Sequence, residues 1–182
     1  MTRVLMPTSD NELIARYLAG DSAAAGDLVK RYQSTVRQFL RRLSAGDHAL
    51  ADDIAQETFI RMLAGLKSFR GDSSLGTWLH TVAYRIFLRH VTSNSRLEFV
   101  DHDQIPEAMA VAHTAMNDIL VEQMMMYLSL KERLTITLAF SAGMTHFEIA
   151  DVTGMPLGTI KSHINRARKK LATLLDTEEM AL

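Results

Sequence analysis

Residues 145–171 read THFEIADVTGMPLGTIKSHINRARKKL. Two helices joined by a tight turn are written into this stretch. Thr145 can cap the first, and Glu148, three residues on, completes a capping box. Ile149 and Val152 give that short helix an apolar edge. Gly154 stands where the chain must turn, because a residue without Cβ takes the left-handed conformation cheaply. Pro156 suits the first turn of a new helix, where its missing N–H costs nothing. In the second helix Ile160, Ile164, Ala167 and Leu171 recur on one face, with Ser162, Asn165, Arg166 and Lys169 opposite. Met155 to Leu171 holds five Lys or Arg and no acid. One side can therefore pack while the other is presented outward, polar and cationic, as a helix entering a DNA major groove requires. A solvated amphipathic helix is the plainer alternative. The turn chemistry together with one-sided charge favours helix-turn-helix.

The chain around this stretch has 182 residues, 47% of them hydrophobic and 23% charged, which allows one or two small domains with real cores. A net charge of −1 conceals a division. Ser93 to Glu122 holds six acidic residues and one basic, whereas Tyr127 to Leu175 holds seven basic and three acidic. A basic C-terminal module thus follows an acidic connector, and local charge is what a nucleic acid meets. The absence of cysteine removes disulfides, thiolate metal sites and cysteine nucleophiles. No apolar run approaches the roughly 18 residues of a membrane span, and no signal peptide opens the chain, so a cytoplasmic protein is expected.

Upstream, helical signals follow one another. Ser9 to Glu12 is a capping box opening a helix through Leu13, Ile14, Tyr17 and Leu18, ended at Gly20. Asp21 caps the next, with Leu28, Val36, Phe39, Leu40 and Leu43 on its stripe. A third helix spans about Ala49 to Leu66, and a fourth runs from Leu75 to about Val91. A polar loop, Phe69 to Ser74, lies between them. Residues 93–115 lose periodicity and read as an acidic linker, with a weak helix conceivable after Pro106. Periodicity returns from Met116 to Leu128, and Ser129 to Glu132 is a further capping box before a helix that ends at Gly143. Nothing alternates with a period of two, so no strand is expected. The fold expected is all-α: two small helical domains, residues 9–92 and 116–176, on a flexible tether.

Three blocks now carry a resemblance. Ala51-Asp-Asp-Ile-Ala-Gln-Glu-Thr-Phe-Ile-Arg61, Phe69-Arg-Gly-Asp-Ser-Ser-Leu-Gly-Thr-Trp-Leu79 and Gly143 through Leu171 resemble, in order and spacing, the extracytoplasmic-function group of bacterial sigma factors, of the sigma-E type. The likeness implies a region 2 helical bundle and a region 4 helix-turn-helix. It implies that the third helix grips a helical hairpin of the polymerase β′ subunit through Asp53, Ile54, Gln56, Glu57 and Arg61. Spacing agrees, since Asp53 and Glu57 are four apart on one face. Paired carboxylates also suit acid–base catalysis, but no nucleophile or partnering motif stands nearby.

The resemblance assigns promoter melting and the minus-ten element to Arg70, Asp72, Ser73, Ser74, Thr77, Trp78, Thr81, Tyr84 and Arg85. A Gly-containing loop rich in Ser and Asp can wrap an extruded base and bond its edge. Trp78, the only tryptophan, stands beside Leu79 and is more often core than a base-stacking platform. The family pattern after Ala83 has Asn, then Asp and paired arginines, where this chain has Tyr84-Arg85, Arg89 and Thr92-Ser93. For the minus-thirty-five element the likeness assigns Thr159, Lys161, Ser162, His163, Asn165, Arg166 and Lys169. Asn165 suits adenine and Arg166 guanine through bidentate bonds, while Arg168, Lys169 and Lys170 suit phosphates.

Core RNA polymerase (β′ and β subunits), promoter DNA and an anti-sigma factor are the partners implied. No enzyme activity, cofactor, metal, membrane insertion or small-molecule substrate is expected; the seven histidines lack metal-ligand spacing. The alternative is a helix-turn-helix regulator that acts without polymerase.

Overall fold

The computed structural model describes residues 8–94 and 116–179. Within them the chain is entirely helical: α1 (Asp10–Leu18), α2 (Ser22–Leu43), α3 (His48–Gly65), α4 (Leu75–Asn94), α5 (Met116–Met125), α6 (Leu130–Phe140), α7 (His146–Thr153) and α8 (Leu157–Glu179). A single 3-10 turn, Leu66–Ser68, follows α3. The expected linker falls almost wholly outside the described residues, as does the weak helix after Pro106. None of the described helices is long and apolar enough to cross a membrane.

Side-chain caps set where the helices start. Ser9 accepts from the Glu12 N–H (3.2 Å), which is one half of the expected box, and Asp21 and Asp47 accept from Ala23 and Leu50 (3.0 Å each). Ser129–Glu132 and Thr145–Glu148 are complete reciprocal boxes. Each cap satisfies N–H groups that the helix cannot, for about 1 kcal/mol apiece. Gly154 closes α7 in the left-handed conformation at φ 71°. Two boundaries shift: α4 runs on to Asn94, past the expected domain end, and α5 stops at Met125 rather than Leu128.

The first module, α1 to α4, packs around Leu28, Val36, Phe39, Leu40, Ile54, Met62, Leu79 and Phe87, all nearly inaccessible. His80 lies among them, its ring 4.7 Å from Phe39. In the second module α6 and α8 are the main pair. Met125, Leu128, Ile136 and Ala167 form a satellite cluster there. The modules are not separate bodies. Leu134, Leu138, Ile149, Ile160 and Ile164 belong to the same continuous apolar cluster as the first module's core. Helix α2 makes the seam, packing on both α5 and α6.

Candidate functional site

Helix α3 shows what its periodicity buries. Ala51, Ile54, Ala55, Thr58 and Met62 face the core, so Asp53 and Gln56 on the other side are exposed. Ile54 is therefore not a docking contact: it is fully buried, one position round from Asp53. Ile60 is an exposed apolar side chain (69%) that sequence reasoning missed. Its spacing from Asp53, Gln56 and Glu57 (seven, four and three residues) could have placed it on their face.

Glu57 is a joint rather than a free carboxylate. It accepts from Arg61 Nε (2.8 Å) on its own helix and from Arg89 (2.8 Å) and His90 (3.4 Å) on α4. The Arg61 hydrogen bond, helped by Arg89 and His90, lowers its pKa from 4.5 to about 2. Arg89, where the chain departs from the family pattern, thus ties the end of α4 to α3.

The loop before α4 turns at Gly71 (φ 75°). Ser74 caps α4, its Oγ accepting from the Thr77 N–H (3.1 Å) and hydrogen-bonded to Thr77 Oγ1 (2.9 Å). Arg70 and Asp72 are exposed and Ser73 half-buried. Trp78 is half-buried, its ring tilted against Phe69 at 5.3 Å. A Cβ on Gly65 would stand 3.2 Å from the indole, closer than ordinary van der Waals contact, so any larger residue would press on the ring. Thr81 donates to the Thr77 carbonyl (3.0 Å). Tyr84 is a correction: only 3% exposed, it packs into the core and is no base-stacking platform. What α4 does present is a slowly winding strip four residues apart: Thr77, Thr81, Arg85 and Arg89, the two arginines exposed.

On α8, Ile160, Ile164 and Ala167 are buried, so Thr159, Lys161, Ser162, Asn165, Arg166 and Lys169 face outward. His163 does not; at 8% exposure it belongs to the packed side, which corrects its assignment to DNA. Burial, then the nearby Arg166 charge, pushes its imidazole below the ordinary value. Arg166 Nη2 donates to its Nδ1 (2.8 Å), and a guanidinium can only donate, so Nδ1 is the bare nitrogen. Arg166 also lies 3.5 Å from buried Glu132, whose other oxygen takes Lys170 Nζ at 2.9 Å. Burial alone would raise the Glu132 carboxyl, but Lys170 and the Ser129 N–H outweigh it and its pKa is lowered. Arg166 is thereby tethered toward the domain while its side chain stays 55% exposed, so it remains on the outward face with Thr159, Lys161, Ser162, Asn165 and Lys169.

No group of three His, Asp or Glu among the described residues could hold a metal ion. Three surfaces remain: an acidic and apolar face on α3, a cationic strip on α4 and a basic polar face on α8. Known proteins resemble both modules. Residues 28–97 match the family model for sigma-70 region 2, and residues 118–171 the one for sigma-70 region 4. The RNA polymerase sigma-H factor of Pseudomonas aeruginosa is 30% identical over 183 residues, covering 92% of this chain and 94% of the relative. The ECF RNA polymerase sigma-E factor of Haemophilus influenzae is 30% identical over 179 residues, covering 90% and 93%. Among solved structures, the sigma factor RpoE in complex with the anti-sigma factor NepR from Bartonella quintana is similar at a TM-score of 0.63 and 26% identity, covering 82% of this chain and 97% of that one.

Proposed function

The chain belongs to the ECF sigma factors of the sigma-70 family, and from that premise we propose how its three surfaces divide the work of an alternative sigma factor. The protein directs promoter-specific initiation, pairing with core RNA polymerase and with promoter DNA. Helix α3 docks on polymerase through Asp53 and Gln56, with Ile60 supplying the apolar centre of the contact. An exposed isoleucine ringed by polar groups is the composition of a docking patch rather than of a solvated face. Arg61 stands at its edge and Glu57 holds α4 in register with it.

The loop from Arg70 to Ser74 and the strip Thr77, Thr81, Arg85 and Arg89 engage the strand that is opened. Two exposed arginines neutralise phosphates, and the capped loop offers hydroxyls and a carboxylate to an extruded base. Trp78 supports the loop from beneath through Phe69 and Gly65. Helix α8 reads the upstream element, with Asn165 on a base edge and Lys161 and Lys169 on phosphates. The factor carries no catalytic step; it works in the cytoplasm with the polymerase. An anti-sigma protein that covers the α3 face would hold it inactive.

The observation that carries this reading is the exposure of Asp53, Gln56 and Ile60 together on a helix whose opposite side is fully buried. Titration of labelled protein with purified core polymerase tests it. Asp53→Ala with Gln56→Ala, and Ile60→Ser separately, should each weaken binding at least tenfold, roughly 1.4 kcal/mol. Unchanged affinity in both would remove α3 as the docking helix.

A further inference from the structure

We propose that Glu132, on α6, is a positioning residue for base recognition by α8. With His163 it fixes the guanidinium of Arg166 in one orientation, so that preference at one base pair of the upstream element depends on a side chain that touches no DNA. The inference rests on the reading of α8 as the helix that meets the upstream element.

The carboxylate of Glu132 is anchored on its own helix first. It closes the capping box of α6, where its Oε2 accepts from the Ser129 N–H (3.0 Å) and its own N–H donates to Ser129 Oγ (3.4 Å). Its side chain is only 5% exposed. A buried carboxylate tied to its own cap is held in one rotamer, and at that depth it needs cationic partners. Two come from α8, one helical turn apart. Lys170 Nζ donates to Oε2 (2.9 Å), and Arg166 Nε lies 3.5 Å from Oε1. Each oxygen therefore meets one cation. A single carboxylate that bridges positions i and i+4 fixes the rotation of α8 against α6 as well as the arginine itself.

Arg166 is gripped along one side of its plane. Nε faces Glu132, and Nη2 donates to His163 Nδ1 (2.8 Å). A guanidinium carries its donors in a rigid planar fork. Nη1 has no partner among the described residues, and Nη2 keeps a second N–H. The side chain is 55% exposed, so this free end looks outward. Two donors at the end of a fixed plane match the O6 and N7 acceptors of guanine. A plane already fixed loses little freedom when the base arrives, whereas a mobile side chain must be ordered at that moment. Arg168 gives the contrast. It is exposed and has no partner among the described residues, which suits a phosphate contact that carries no sequence information. Arg166 and Arg168 thus differ in what holds them rather than in their chemistry.

The test is E132Q, which removes the charge but keeps the length, and glutamine also completes a capping box. Holoenzyme binding is measured on every single-base variant of the preferred upstream element. E132Q should lower discrimination at one base pair by about fivefold or more and leave the other pairs within about twofold. R166A should lower it at the same pair, and adding E132Q to R166A should change nothing further there, because Glu132 acts through Arg166. H163F, which removes the acceptor at Nδ1, should also act at that pair. An unchanged profile in E132Q or H163F would overturn the proposal. So would equal weakening on all sequences, an effect at a different pair from R166A, or a further loss in the double variant. If E132Q does not fold, nitrogen relaxation on the unmodified protein decides. The order parameter of Arg166 Nε should lie above about 0.6 and that of Arg168 below it, and equal mobility overturns the proposal. Should the unmodified protein with core polymerase bind no promoter, the sigma reading fails. The same profile is then taken with the full chain alone on duplexes it selects, and the same shifts decide.

Discussion

Asn165 and Arg166 are neighbours on α8, yet they are held differently. Arg166 is held by His163 and drawn toward Glu132. Asn165 is exposed on the outward face. Replacing Asn165 by Ala should cost roughly 1–3 kcal/mol on the preferred upstream element and relax preference at one base pair. Lys169→Ala should weaken every sequence alike and reduce the salt slope of holoenzyme binding by about 1. Binding isotherms over a set of single-base variants, at several salt concentrations, separate the two effects. The sequence marked both residues for DNA because they share the polar face. It could not show that buried Glu132, thirty-odd positions earlier, competes for Arg166. Burial acts on histidines in the same hidden way. It pushes the imidazoles of His80 and His163 below their ordinary value of 6.5. A base whose folded pKa is depressed is neutral in both states above the unfolded value, and there its contribution is complete. As pH falls below about 6.5 the unfolded chain takes up protons first, and stability declines. Thermal melts from pH 7.5 to 5.5 should show this loss, and His80→Gln with His163→Gln should flatten it. A wild-type midpoint that stays level across that range would contradict the burial argument.

At the scale of elements, caps and turns were legible because their chemistry is local. Ser9, Asp21, Ser129 and Thr145 start helices where a short polar side chain meets unpaired N–H groups, and Gly154 stops one. Two glycines isolate the turn's contribution. A Cβ at Gly154 or at Gly158 meets nothing within 4 Å, but only Gly154 has a positive φ. Gly154→Ala should destabilise by about 1–2 kcal/mol, a melting shift of roughly 2–8 °C, because only the backbone conformation is penalised. Gly158→Ala lies in a helix and should be neutral or stabilising by up to about 1 kcal/mol. Shifts of the same sign in calorimetry would rule out the left-handed turn as the origin. What the elements hid was which flank each helix turns inward. Ile54 and Tyr84 sit beside exposed positions in sequence, and a rotation of α3 or α4 by one residue, about 100° around its axis, would exchange their places with Asp53 or Arg85. That rotation is set by tertiary packing, including the Glu57 joint to Arg61, Arg89 and His90, which links α3 to residues more than thirty positions away.

The whole molecule joins two DNA-facing modules through one apolar cluster, an arrangement no periodicity announces. Two domains were legible from the acidic break at 93–115; their contact through α2, α5 and α6 was not, because it pairs residues roughly 75 to 100 positions apart. Function at this scale depends on all three surfaces in one initiation event. On the proposed division of roles, docking through α3 would place the α4 strip at the start-proximal element and α8 upstream, and two modest contacts would then add through effective concentration. Run-off transcription with purified core polymerase, on a set of promoters selected by the holoenzyme, reads that event directly. Discrete transcripts are expected only when the protein is added to core, and Asp53→Ala with Gln56→Ala should abolish them. Tight, sequence-specific duplex binding by the protein alone, with no transcript from any selected promoter, would contradict the sigma role.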